Sequence, residues 1–134
     1  MTVIVNSFWG GRITQVVDRQ ISRRITRSGP VEVVDPASTK VCVVLCGNAL
    51  LSIAYTGVAV AHLQWMDSVI ASCLAHRPLD KAMVEPGAIW LARPVHTVIS
   101  ELTLNLNGRL NSDPLARGLD LHLSIVGWHL GRSR

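Results

Sequence analysis

The chain has 134 residues, the size of one ordinary domain and enough to bury a core without disulfide or metal staples. Hydrophobic residues make up 49% and charged residues 16%, which excludes intrinsic disorder and leaves less solvating charge than a typical soluble monomer carries. The net charge of +4 admits an anionic partner without requiring one, and three cysteines cannot all pair, so a reducing, cytoplasmic setting is expected.

The shortage of charge points to apolar surface covered by another copy, so self-association is expected. Positive charge is concentrated at Arg19, Arg23, Arg24 and Arg27, with Arg132 and Arg134 in the tail. No aromatic side chains are interleaved with it, which argues for a solvated loop and against nucleic-acid binding. The opening MTVIVNSFW lacks the basic and apolar regions of a signal peptide. Val41 to Met66 carries no formal charge and is long enough for a membrane span. Gly47-Asn48, Ser52, Tyr55, Thr56, His62 and Gln64 interrupt it, so no membrane insertion is expected.

In chain order, Val3 to Phe8 is a β-rich run, Gly10-Gly11 breaks it, and Ile13 to Asp18 resumes it, the pattern of a hairpin. Ser22 to Pro30 is polar and basic and reads as a surface loop; Val31 to Val34 adds a brief strand before Asp35-Pro36 turns the chain. Val41 to Leu45 and Ala49 to Tyr55 flank Cys46-Gly47-Asn48 as a second hairpin, and their nearly continuous apolar character predicts strands covered on both faces. From Val58 the period changes: Ala59, Leu63, Met66, Ile70 and Cys73 recur at helical spacing up to Pro78. A second helical stripe runs through Leu91, Val95, Val98, Ile99, Leu102 and Leu106, with Pro94 in its first turn and Gly108 as its stop. After a loop at Asn111 to Pro114, Leu119, Leu121, Leu123 and Ile125 alternate as a half-buried strand ending near Gly127-Trp128. The expected fold is a single α+β domain: a β-meander over 1–57, two helices over 58–110, and a further strand over 118–129, with the helices packed on one face of an antiparallel sheet.

A threonine hydroxyl is a poor nucleophile until a base removes its proton, and the α-amine of a chain-terminal threonine can be that base. Thr2 follows Met1, so removal of the initiator methionine would free such an amine. Thr2-Val3-Ile4-Val5 opens the first strand, Asp18-Arg19-Gln20-Ile21-Ser22 closes the returning one, Thr39-Lys40-Val41 starts the next pair, and Tyr55-Thr56-Gly57 ends it at a helix entry. Over about the first 75 residues this order resembles the N-terminal nucleophile hydrolases, the superfamily of proteasomal β-subunits and bacterial proteasome-like threonine peptidases. The Thr2 to Asp18 spacing equals the family's nucleophile-to-aspartate spacing, and Lys40 stands at the lysine that begins its third core strand.

The resemblance implies Thr2 as nucleophile and base, Lys40 as the buried cation that lowers the amine's proton affinity, Asp18 as the carboxylate holding that lysine, and Gly57 as a backbone oxyanion donor. It places Ser22 and Tyr55 in the substrate cleft. The implied reaction is hydrolysis of a peptide or other amide through an acyl-threonine intermediate, with no cofactor and no metal. Taken singly, Asp18 also reads as a strand-end cap, Lys40 as a surface lysine, and Gly57 as a turn residue. The family's chain is longer, so a truncated form of its sandwich is expected. A non-catalytic relative serving assembly is the rival reading, and an anion-binding module using Arg23, Arg24 and Arg27 is a third.

Other candidates carry no chemistry. Cys42 and Cys46 share one face of a strand without a second pair at metal-ligand spacing, and read as core. His62, His76, His96, His122 and His129 are scattered, and Trp65, Trp90 and Trp128 read as core or interface anchors.

Overall fold

The computed structural model describes residues 3–18, 21–24, 28, 30–35, 40–75 and 89–131. The first hairpin forms as its pattern predicts: β1 (Ile4–Trp9) and β2 (Arg12–Val17) pair antiparallel, from Ile4 opposite Val17 to Trp9 opposite Arg12. Gly10 and Gly11 have φ of 52° and 73°, the two left-handed residues that a tight hairpin turn of this twist requires. A second hairpin, β3 (Ile21–Arg24) with β4 (Val31–Asp35), overturns the reading of Ser22 onward as loop. The polar run Ser22-Arg23-Arg24 has no apolar alternation to announce a strand. Its backbone is instead recruited by the β-branched residues of Val31–Asp35. Pro36, where a turn was expected, lies outside the described residues.

Among the described residues the main sheet joins four strands, β5 (Val41–Cys46), β6 (Ala49–Gly57), β9 (Ile89–Trp90) and β10 (Leu121–His129), in the order β10-β6-β5-β9. Around the turn at Gly47-Asn48, β5 (Val41–Cys46) and β6 (Ala49–Gly57) pair antiparallel, as expected. β7 (Val60–Ala61), β8 (Gln64–Trp65) and α1 (Met66–Ala75) follow, then β9 (Ile89–Trp90), α2 (Val95–Ser112) and β10 (Leu121–His129). β10 lies antiparallel to β6, and β9 joins β5 in parallel. The architecture is therefore α+β.

Side chains alternate across the sheet, and the two faces differ. Cys42, Val44 and Cys46 of β5, with Leu51, Ile53 and Tyr55 of β6, join Met66, Val69, Ile70, Cys73 and Leu74 of α1 and Val98, Leu102 and Leu106 of α2 in one buried cluster. Complete burial of a Leu or Ile side chain contributes about 1.5–3 kcal/mol, so this aliphatic layer dominates the stability of a domain with one Phe and one Tyr.

The opposite face carries the β1–β2 hairpin, clipped on by Gln15 and by Asn6, whose Nδ2 donates to Ser124 Oγ at 2.8 Å. The Gln15 carboxamide oxygen accepts from Ser52 Oγ at 2.6 Å, while its nitrogen donates to Asn6 Oδ1 at 3.1 Å and to the Ser124 carbonyl at 3.2 Å. Toward the Gly47-Asn48 end the cover is incomplete. Val43 and Leu50 are about 40% exposed and, with Ile13, Val126 and Trp128, line a hollow of about 260 Å³. The expectation of strands covered on both faces holds only for the helical face.

Both helices differ from their predicted limits. α1 begins at Met66 because His62 (φ 49°) and Leu63 (φ 61°) form a tight turn between β7 and β8, a conformation that excludes helix through Leu63. Pro78, the predicted limit, lies outside the described residues. α2 passes through Gly108 to Ser112. A mid-helix glycine costs about 1 kcal/mol relative to alanine, less than the burial of Val98, Leu102 and Leu106 returns.

Tertiary contacts cap the helix ends, where backbone groups lack intrahelical partners. Asn48 Oδ1 accepts the Val95 N–H at 2.8 Å, a role that Pro94 has no side chain to fill. At the end of α1, Asn105 Nδ2 donates to the Cys73 carbonyl, and Arg93, paired with Glu101, donates to that of Leu74. Among the described residues, no helix is long and apolar enough to cross a membrane.

Candidate functional site

Two residues far apart in the chain meet where the first hairpin joins the main sheet. Asp18 follows β2 directly, and its N–H donates to the carbonyl of Val3 at 3.1 Å, closing the open end of the hairpin. Lys40 precedes β5, and its carbonyl accepts the Tyr55 N–H at 3.1 Å, which ties its backbone to β6. The Lys40 ammonium lies 3.9 Å from Asp18 Oδ2. That distance suits an ion pair and exceeds a direct hydrogen bond.

The pair is unequal in its exposure to water. The Lys40 side chain is 4% exposed and that of Asp18 is 39% exposed. Burial holds the Lys40 ammonium below the usual lysine range, and the Asp18 carboxylate opposes that shift by favouring the charged form. A lysine in such a place is a stability cost unless a carboxylate offsets it.

The other expected site residues fare differently. Thr2 lies outside the described residues, as does Met1. Ser22 stands opposite Val33 in the β3–β4 ladder, and its side chain is outside the description. Tyr55, expected in a substrate cleft, is 2% exposed and belongs to the buried cluster beneath the helices, so it presents almost no surface to a substrate. Gly57 is not at the start of a helix: it ends β6 opposite Leu121, with β7 and β8 between it and α1. Its φ of 104°, and the 2.0 Å that would separate an added Cβ from the Asp120 carbonyl oxygen, account for the glycine by backbone packing alone. Arg23, Arg24 and Arg27, the anion-binding alternative, have side chains outside the description.

The cysteines are held as inert core. Cys42, Cys46 and Cys73 are free and buried. Burial raises all three thiols, and Cys42, which also faces the Asp67 carboxylate, is pushed up to about 12. Burial of this kind disfavours the thiolate, the form that acts as nucleophile and metal ligand. Among the described residues, no group of three His, Cys, Asp or Glu side chains could hold a metal ion.

One polar cluster escaped the sequence reading. The buried Asp113 carboxylate accepts the His62 N–H at 2.6 Å and the Leu115 N–H at 2.9 Å, and these bonds hold it below the usual carboxylate range. The His62 ring donates from Nε2 to the Arg109 carbonyl at 2.8 Å near the end of α2. The Asp113-Pro114 pair directly after the helical stripe is its signal in the sequence, and by itself predicts only a loop.

Comparison with protein-family models, with curated proteins and with solved structures finds no significant match to this chain.

Proposed function

We propose that this chain is an N-terminal nucleophile hydrolase-like domain that hydrolyses a peptide or other amide through Thr2. The observation that carries the reading is the buried Lys40 ammonium facing Asp18 beside the start of β1. The layer of helices over a mostly antiparallel sheet, with a hairpin on the far face, also supports it.

With Met1 removed, the Thr2 amine takes the proton of the Thr2 hydroxyl as that oxygen attacks the amide carbonyl. The tetrahedral adduct collapses, its C–N bond breaks, and the amine product leaves with the proton from the Thr2 ammonium. Water then gives a proton to the Thr2 amine and its hydroxide to the acyl carbon, and the ester oxygen departs with that proton. Lys40 serves this cycle by field, since a nearby positive charge keeps an amine neutral at physiological pH. Asp18 keeps Lys40 charged.

The test is cleavage of a panel of fluorogenic peptide and acyl amides, with the intact mass read on the same sample. The reading requires protein that starts at Thr2, activity in the wild type, and loss of activity in Thr2→Ala. Equal rates in both proteins would remove Thr2 from the mechanism. The second reading, a non-catalytic relative kept for assembly, is favoured by Trp9 at 84% and Trp90 at 78% exposure. Retention of Met1 in soluble protein from the native host would select it.

A further inference from the structure

Among the described residues the outer edge of β10 is long, uncharged and open. Among the described residues β10 ends the main sheet, and no strand pairs with its outer side. Its nine residues, Leu-His-Leu-Ser-Ile-Val-Gly-Trp-His, include no Lys, Arg, Asp, Glu or Pro. Its register with β6 runs unbroken from Leu121 opposite Gly57 to His129 opposite Ala49. Natural sheets blunt such edges with charge, proline, bulges or brevity, because unpaired backbone groups recruit another strand. None of these devices is present in β10.

Hydrogen-bond alternation identifies which groups face outward. Tyr55 N–H bonds to Lys40 across the β5 side, so odd-numbered residues of β6 face β5 and even-numbered ones face β10. Through the β6 register, Ser124, Val126 and Trp128 then face inward, and the Leu130 N–H to Asn48 carbonyl bond at 2.7 Å continues the same parity. The outward N–H and C=O groups therefore belong to Leu121, Leu123, Ile125 and Gly127, with the N–H of His129.

This set is self-complementary. Turned about a two-fold axis through Ile125, a second copy brings outward groups against outward groups, as antiparallel pairing requires. Leu123 then meets Gly127 of the partner subunit, and Leu121 meets His129 of the partner subunit. Beside the edge on the helical face, a hollow of about 430 Å³ between α2 and β10, lined by Leu106, Asn107, Leu110, Leu121 and Leu123, leaves room for side chains of the added strand. A nine-residue strand is roughly 30 Å long, so the pairing runs the full length of the edge. Trp128, 43% exposed, adds apolar area on the opposite face.

We infer that this protein forms a two-fold dimer by pairing β10 with β10 of a second copy, joining two four-stranded sheets into one of eight. The dimer does not depend on the chemistry proposed for Thr2, and its test has no activity readout.

The test combines light-scattering mass of the wild type at tens of micromolar with oxidative cross-linking of two single-cysteine additions. Ile125→Cys places two thiols across a hydrogen-bonded pair with Cα atoms about 5.5 Å apart, within disulfide range. His122→Cys places them roughly 20 Å apart. The expected result is twice the chain mass, with a reducible dimer for Ile125→Cys and none for His122→Cys. A monomer mass, or a dimer in which Ile125→Cys cross-links no better than His122→Cys, overturns the proposal. A monomer that instead gains a strand from an unrelated peptide counts among the overturning results.

Discussion

The Lys40 ammonium sits 3.9 Å from the Asp18 carboxylate, with the cation buried and the anion at the boundary with water. The fold places the cation of the pair on the inside and lets the compensating carboxylate reach solvent. A surface ion pair contributes about 0–1 kcal/mol; this one buries its lysine, and the role proposed for Lys40 rests on that burial.

That asymmetry predicts opposite effects from the two ends of the pair. Asp18→Asn leaves the ammonium buried with its compensation weakened and should destabilise by about 1–3 kcal/mol, reduced from the fully buried case because Asp18 is partly hydrated. Lys40→Met removes the buried charge and keeps the volume, and should be neutral or stabilising. Urea titration of both variants checks this. Equal destabilisation in the two would make the pair a structural fastening.

Alkaline pH should unfold the domain chiefly through its thiols. A group whose folded pKa lies above its unfolded value binds more protons when folded, so stability falls as pH rises between the two. For Cys42 the window runs from 9.0 to about 12, and at pH 11 the loss is about 2–3 kcal/mol. Cys46 and Cys73 act in the same direction. Lys40 acts oppositely: its folded pKa lies below 10.5, so its burial cost is relieved as pH rises toward that value. The thiols should prevail, and denaturant midpoints measured from pH 8 to 11 should fall. Cys42→Ala should flatten the slope.

At the acid end, Asp113 supplies the contrary case. Its folded pKa is depressed below 3.8 by the His62 and Leu115 N–H bonds, so its contribution is present above that value and disappears as pH falls through the folded pKa. Asp113→Asn should remove that part of the acid sensitivity and loosen the β7–β8 turn, read as faster amide exchange at His62.

Much of this architecture could be read from residues alone, for reasons that differ by element. Gly10-Gly11 and Gly47-Asn48 announce their hairpins because the turns need conformations or close approaches that those residues tolerate, as at Gly47, whose added Cβ would lie 2.6 Å from the Ala92 carbonyl oxygen. Lys40 and Asp18 were legible together only through a family resemblance, since no local rule joins residues on separate strands. The start of α1 was misplaced because Ala59 and Leu63 fit a helical period, while the turn at His62-Leu63 is held by Asp113 from beyond α2, a contact no local window contains. The burial of Tyr55 follows from alternation along β6, which turns it to the helical face.

Gln15, beside Asn6, joins the hairpin to the sheet through its bonds to Ser52 and Ser124. Gln15→Ala should cost about 1–3 kcal/mol by leaving the partly buried Ser52 and Ser124 groups without it. If the hairpin positions the start of the chain, the same change should also lower any amide-cleaving rate by more than it lowers stability. A thermal melt paired with the amide assay separates the two effects.

The most direct measurement is the mass of the intact protein, and of its first proteolytic peptide, after incubation with a β-lactone that acylates activated hydroxyl groups. The account predicts a protein beginning at Thr2 that gains one acyl group on that peptide, with labelling abolished in Thr2→Ala and sharply slowed in Lys40→Met although that variant remains folded. Protein that retains Met1, or labelling as fast in Lys40→Met as in the wild type, would contradict it.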